Sequence, residues 1–234
     1  GTTWATTIFV VNSLNDADGM FPDGYFGYAY IGGPFIMMTY DNDGWGISRL
    51  FRVTQHEMGH IFWAADNYSG GCSNTTDTWG YLGIANSNCA YNNPGADQDV
   101  LMSNNNPDRV HLSSLYQVGW RDTNTNAIPD PVDTTPGISL SVASPNPTSS
   151  TQLTYTGYAY DNPLPHVNGT VTPSTDVTIN TITSVQNRVD GGSWQNASAV
   201  DGSFNTDREQ FTFITGPLAN GSHTIEVQST NSRG

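Results

Sequence analysis

The sequence predicts an α+β domain followed by an all-β sandwich, and three observations carry that prediction. One stretch with helical apolar spacing, from about Ser48 to Ala64, sits among short strand-like runs. A polar, proline-bearing segment at 122–135 then breaks the pattern. From Pro136 onward the chain reads as short alternating strands separated by Gly and Asn turns, the spacing of a two-sheet sandwich. A length of 234 residues suits two domains, which we delimit as 1–121 and 136–234 with 122–135 as the connector.

Taken in order, Trp4 to Asn12 is a β-branched run expected to form a buried strand with almost no lead-in, so upstream strands or a pro-segment are expected to precede it. Tyr25 to Tyr40 reads as two short strands broken at Gly32-Gly33-Pro34, and Asp41 to Gly46 as a turn. Leu50, Val53, Glu57, Ile61 and Ala64 then share one helical face, with His56 and His60 beside them. Residues 69–98 form a long Gly-, Asn- and Thr-rich loop that Cys72 and Cys89 are placed to staple as a disulfide. A short apolar turn at Asp99 to Ser103 precedes a helix around Asp108 to Val118, capped by Asn106 or Asp108. The expected sandwich strands are Ile138–Val142, Leu153–Tyr160, Val177–Ile182, Val185–Val189, Gln210–Phe213 and His223–Gln228, with Trp194 in the core and His166 and His223 as ordinary sandwich residues.

Residues 56–60, His-Glu-Met-Gly-His, carry the chemistry. Histidines four apart on a helix project from one face about a turn apart, a spacing that holds one zinc ion, and Glu57 beside them can take a proton from a zinc-bound water. This is the HExxH arrangement of zinc peptidases. With five His and three Glu in the chain, the motif is expected by chance on the order of 10⁻³ times. Glu57 is moreover the only glutamate before Glu209, in a chain that uses eighteen aspartates.

Two histidines leave the metal incomplete, so the chain must supply a third ligand, for which Asp66, six residues after His60, is a candidate. Asp77 and His111 are the alternatives. His56-Glu-x-x-His60 with Asp66 six residues on, and Met102 in Val-Leu-Met-Ser, resemble over residues 4–121 the metzincin peptidases, whose motif is HExxHxxGxxH or HExxHxxGxxD. That resemblance puts Asp66 first and implies that His56, His60 and Asp66 bind zinc above a methionine turn. The chain departs from the family at Trp63, where metzincins have glycine. On an unbroken helix Asp66 would lie roughly 240° around from His60, so either the helix-ending turn is made differently here or Asp66 is not the ligand. Ala65-Asp-Asn-Tyr68 also resembles the Ala-Asp-Glu-Tyr of some bacterial immunoglobulin-cleaving peptidases, which suggests Tyr68 as a hydrogen-bond donor to the oxyanion.

In the connector, Asp122, Asn124, Asn126, Asp130 and Asp133, with the Ile128 carbonyl, have the ligand spacing of an EF-hand-like calcium loop, although Ala127 stands where glycine is expected. The loop resembles the calcium repeats of thrombospondin type 3 and dockerin modules. Arg188 to Trp194 and Leu218 to Ile225 resemble the Ig-like domains appended to bacterial secreted enzymes. The expected cofactors are therefore zinc and calcium.

Twenty-one acids against seven bases, all arginine, give a formal charge of −14, which argues against a nucleic-acid partner. No apolar run is long enough to span a membrane. The expected protein is a secreted or cell-surface zinc endopeptidase acting on a protein or peptide, with further modules of the same polypeptide. The alternative is an adhesin or glycan- or protein-binding module whose zincin-like domain is inactive.

Overall fold

A computed structural model of the chain describes residues 5–42, 45–143, 145–169 and 176–234. Trp4 of the expected first strand, and Asp43 and Gly44 of the expected 41–46 turn, lie outside the described residues. The fold is rich in strands, with few helices and several small sheets. It divides into two compact units, one of residues 1–123 with 165–175 and one of residues 124–164 with 176–234.

The first unit is built on a three-stranded sheet and the helix packed against it. Strands β1 (Thr7–Val11), β2 (Gly27–Ala29) and β3 (Phe35–Thr39) lie in the order β1-β3-β2, with β1 parallel and β2 antiparallel to β3. Along β3, Ile36 and Met38 turn inward and meet Val53 and Ile61 of α1 (Leu50–Ile61) in one apolar cluster. The period of two on the strand and the 3.6-residue period on the helix thus place their apolar sides together. β1 was expected to be buried, but all five of its residues are exposed, Phe9 at 51%. It lies at the edge of the sheet, while α1 packs over the two strands beyond it.

Beyond α1 come a two-stranded ladder of β4 (Thr78–Trp79) and β5 (Ile84–Ala85), the short helix α2 (Leu101–Asn104) and the helix α3 (Leu112–Gln117). α3 starts later than the sequence suggests. Its cap is His111, whose Nδ1 accepts from the Ser113 N–H at 3.2 Å, because Asn106 and Asp108 are used in the turn before it. The Cys72–Cys89 disulfide is formed and closes the long loop.

The second unit holds two antiparallel sheets. One, in the order β10-β11-β7-β6, is made of β6 (Pro136–Leu140), β7 (Thr154–Asp161), β10 (Ser198–Ala199) and β11 (Arg208–Ile214). The other, β12-β8-β9, is made of β8 (Ile182–Val189), β9 (Gln195–Asn196) and β12 (Ile225–Asn231). Ala159, Phe211 and Phe213 of the first sheet share one core with Ile182 and Val185 of the second. Val177 forms only an isolated bridge to Leu164, and 182–189 is one strand, since its pairing with β12 runs unbroken from Val189–Ile225 to Ser184–Thr230. Trp194 is outside the core. It lies half-buried under the Arg188 guanidinium, 4.4 Å from the ring centroid, which covers the face that a core position would have packed. His223 pairs with Asp190 at 2.6 Å, whereas His166 packs edge-on against Tyr81 in the first unit.

Candidate metal centre

The site grows from the end of α1. The helix stops at Ile61 and its last turn is closed by two backbone bonds, Trp63 N–H to His60 O at 2.9 Å and Ala64 N–H to Gly59 O at 2.9 Å. These are the two bonds of a Schellman motif, which requires a left-handed residue after the C-cap. Trp63 is that residue, with φ 70. A left-handed non-glycine residue costs roughly 1–2 kcal/mol, and packing offsets it here. The indole lies on Gly32 so closely that a Cβ at Gly32 would sit 2.6 Å from the Trp63 ring, and the Gly32 N–H donates to His60 O at 3.1 Å. The turn is made by a tryptophan pressed on a glycine from the β2–β3 connection.

That turn brings Asp66 back to the helix. Asp66 Oδ1 lies 3.0 Å from His56 Nε2 and 3.2 Å from His60 Nε2, and among the described residues these three are the only group whose ligand atoms converge as a metal site needs. Ligand atoms around a tetrahedral zinc, with bonds of roughly 2.0–2.1 Å, stand about 3.3 Å apart, so the spacing fits such an ion. The tautomers fit as well. His56 Nδ1 donates to Leu101 O at 2.9 Å and His60 Nδ1 to Ala64 O at 2.8 Å, which turns both Nε2 atoms toward the carboxylate. Two nitrogen lone pairs and a carboxylate oxygen cannot share that space without positive charge among them, whether protons or a metal ion.

The electrostatics express the same demand. Burial opposes charge on His60, but the hydrogen bond and negative charge of Asp66 outweigh it and raise the imidazole to about 9. Burial likewise opposes charge on Asp66, yet its bonds to His56 and His60 hold the carboxyl well below the usual carboxylate range. Glu57 is pushed above that range by burial, against the lowering pull of both histidines.

Two close approaches shape the walls. Gly59 faces Met102, whose Sδ would lie 2.6 Å from an added Cβ, so the buried α2 methionine sits directly against the ligand helix. Gly27 of β2 faces Glu57, whose Oε1 would lie 2.6 Å from a Cβ there. Gly27→Ala is therefore expected to displace the Glu57 carboxylate, the free end of a flexible chain, at little cost in stability. Any hydrolytic activity should fall at least about tenfold with metal content and melting temperature retained, read as kcat/KM beside a thermal melt.

Of the other expected site residues, Tyr68 lies at the site, its ring centroid 6.5 Å from that of His56. Its hydroxyl is hydrogen-bonded to Asp66, and burial together with that carboxylate raises the phenol above its ordinary value. Asp77 accepts from Asn74 Nδ2 at 2.7 Å, and His111 is engaged with Ser113, so neither joins the cluster. In the connector, Asn124 and Asn126 donate to one oxygen of Asp133 at 2.7 and 2.9 Å, and Arg233 holds its other oxygen at 2.7 Å. Ala127 takes the left-handed φ of 68 where a calcium loop has glycine. Sequence reasoning missed Gly27, Gly32 and the buried amides of the 69–98 loop, since their roles exist only once distant segments meet.

The disulfide closes that loop over a separation of 17 residues. A loop of that length predicts a loss of about 3 kcal/mol for the Cys72→Ser, Cys89→Ser double variant, measurable by denaturant unfolding.

No protein-family model and no curated protein sequence matches this chain.

Proposed function

We propose that the first unit is a zinc-dependent endopeptidase of metzincin-like build, secreted and carrying an Ig-like second unit. The observation that carries this reading is the convergence of His56, His60 and Asp66 on one point, with the Glu57 carboxylate buried beside them. His56, His60 and Asp66 would hold the metal. A zinc ion there supplies a Lewis acid that acidifies water and polarises a peptide carbonyl. Glu57 accepts the proton of the attacking water and returns it to the leaving amine, a role suited to a carboxylate whose affinity for protons burial has raised. Tyr68, bonded to Asp66, orients the third ligand, and can turn to the oxyanion only by releasing that bond. The disulfide, and the absence among the described residues of a helix long and apolar enough to cross a membrane, are compatible with an extracellular setting.

Calcium at the connector is part of the same proposal, on the ligand spacing of Asp122, Asn124, Asn126, Asp130 and Asp133 with the Ile128 carbonyl. There Asn124 and Asn126 converge on one oxygen of Asp133, and Arg233 pairs with the other.

The test is cleavage of a panel of denatured proteins by the zinc-loaded full chain, with and without a chelator. Cleavage that the chelator abolishes and added zinc restores is expected. A zinc-loaded chain that cleaves nothing would overturn the peptidase reading and favour a binding module.

A further inference from the structure

The backbone that carries Asp66 is pinned on both sides by side chains from the disulfide-closed loop and α3. Asn86 Nδ2 donates to the Asp66 carbonyl at 2.7 Å, and Gln117 Oε1 accepts from the Ala65 N–H at 2.9 Å. The Asn67 N–H donates to Met102 O at 2.6 Å. Asn86 is itself held, its Oδ1 accepting from Asn67 Nδ2 at 2.8 Å. Asn67 Oδ1 in turn accepts from Asn88 Nδ2 at 3.2 Å and Ser114 Oγ at 3.3 Å. Asn67 is fully buried, and Asn86, Asn88 and Gln117 are at most 3% exposed. Burying amides is costly unless all their groups are satisfied, and a satisfied network is rigid.

Taking the metal reading above as its basis, we propose that Asn86 is a positioning residue of the metal centre, fixing Asp66 as third ligand through its main-chain carbonyl, with Gln117 doing the same through Ala65. A helix followed by a left-handed tryptophan sets only the direction of the chain after residue 63. The carboxylate must still meet two nitrogens at 3.0 and 3.2 Å, and the ligand itself sits on irregular backbone with no helix or strand to hold it. Asn86 and Gln117 supply the two fixed points, one on the β5 side and one from α3.

The experiment compares Asn86→Ala with Asn88→Ala in the full chain. Both remove a buried amide from the same network, but Asn86 alone touches Asp66. Zinc affinity is read by competition with a chromophoric chelator, ligand geometry from the visible d–d spectrum of the cobalt-loaded protein, and stability from the melt of the metal-free protein. Asn86→Ala is expected to lose about 10–100-fold in zinc affinity, the scale of an outer partner, and to show weaker, shifted cobalt bands. Asn88→Ala is expected to lower the melt while keeping the parent's affinity and spectrum. The inference is overturned if Asn86→Ala has the parent's spectrum and affinity, or if Asn88→Ala loses both to the same degree. Gln117→Met is read against the same criteria should Asn86→Ala not fold. A parent chain that binds neither zinc nor cobalt would refute the metal centre itself, a result distinct from either.

Discussion

Glu57→Ala should keep its metal and lose hydrolysis by about 10²–10⁴-fold, the contribution of a positioned general base. The expectation rests on where the carboxylate stands. Glu57 lies between the two histidine ligands in sequence but is not part of the converging set, so its removal leaves the three ligand atoms in place. It is buried, against the Cα of Gly27, and its charge is disfavoured by that burial. Deleting it removes an unfavourable buried charge, so the melting temperature should not fall. Glu57→Gln sharpens the result, because the amide keeps the shape and packing but cannot take a proton. Both variants are measured by kcat/KM on a peptide that the parent cleaves and by metal content. Activity in Glu57→Gln near that of the parent would sink the assignment of Glu57 as proton acceptor.

How much of this was legible in the sequence follows from the range over which each interaction acts. His56, Glu57 and His60 could be read directly, because one helix turn fixes their relation and the helix is signalled locally by Val53 and Ile61. Most strands of the second unit were legible for the same local reason, period two between turn residues, but of the expected strand Val177–Ile182 only a bridge at Val177 forms before β8 begins. Trp63 was not. Its left-handed φ contradicts its own propensity and is stabilised by Gly32, about thirty residues earlier, so a local reading finds only the missing glycine. The exposed β1 misled in the opposite way, since an apolar run predicts burial only when something lies over it. The 69–98 stretch read only as a long, disulfide-stapled loop, yet its Asn86 and Asn88, and Asn67 just before it, are buried. Irregular backbone beneath the surface leaves main-chain groups without ladder partners, and short amides are the side chains that can serve both donors and acceptors.

Asp66→Ala should weaken zinc binding by more than 100-fold, beyond the roughly 10–100-fold expected for an outer partner. The substitution takes away the carboxylate of the converging group and leaves two imidazoles, a set too small and without negative charge to hold the ion. Tyr68 loses its acceptor at the same time, so the phenol is freed toward the helix end. Asp66→Asn separates charge from shape. Its amide oxygen keeps the position while the negative charge is gone, and its affinity should fall between the alanine variant and the parent. Asp77→Ala and His111→Ala serve as controls, since each side chain is committed to a turn or a cap away from the cluster, and both should bind zinc as the parent does. Chelator competition measures all four. Parent-like affinity in Asp66→Ala, or a comparable loss in either control, would mean that the left-handed turn at Trp63 brings the chain back toward His60 without Asp66 being the third ligand.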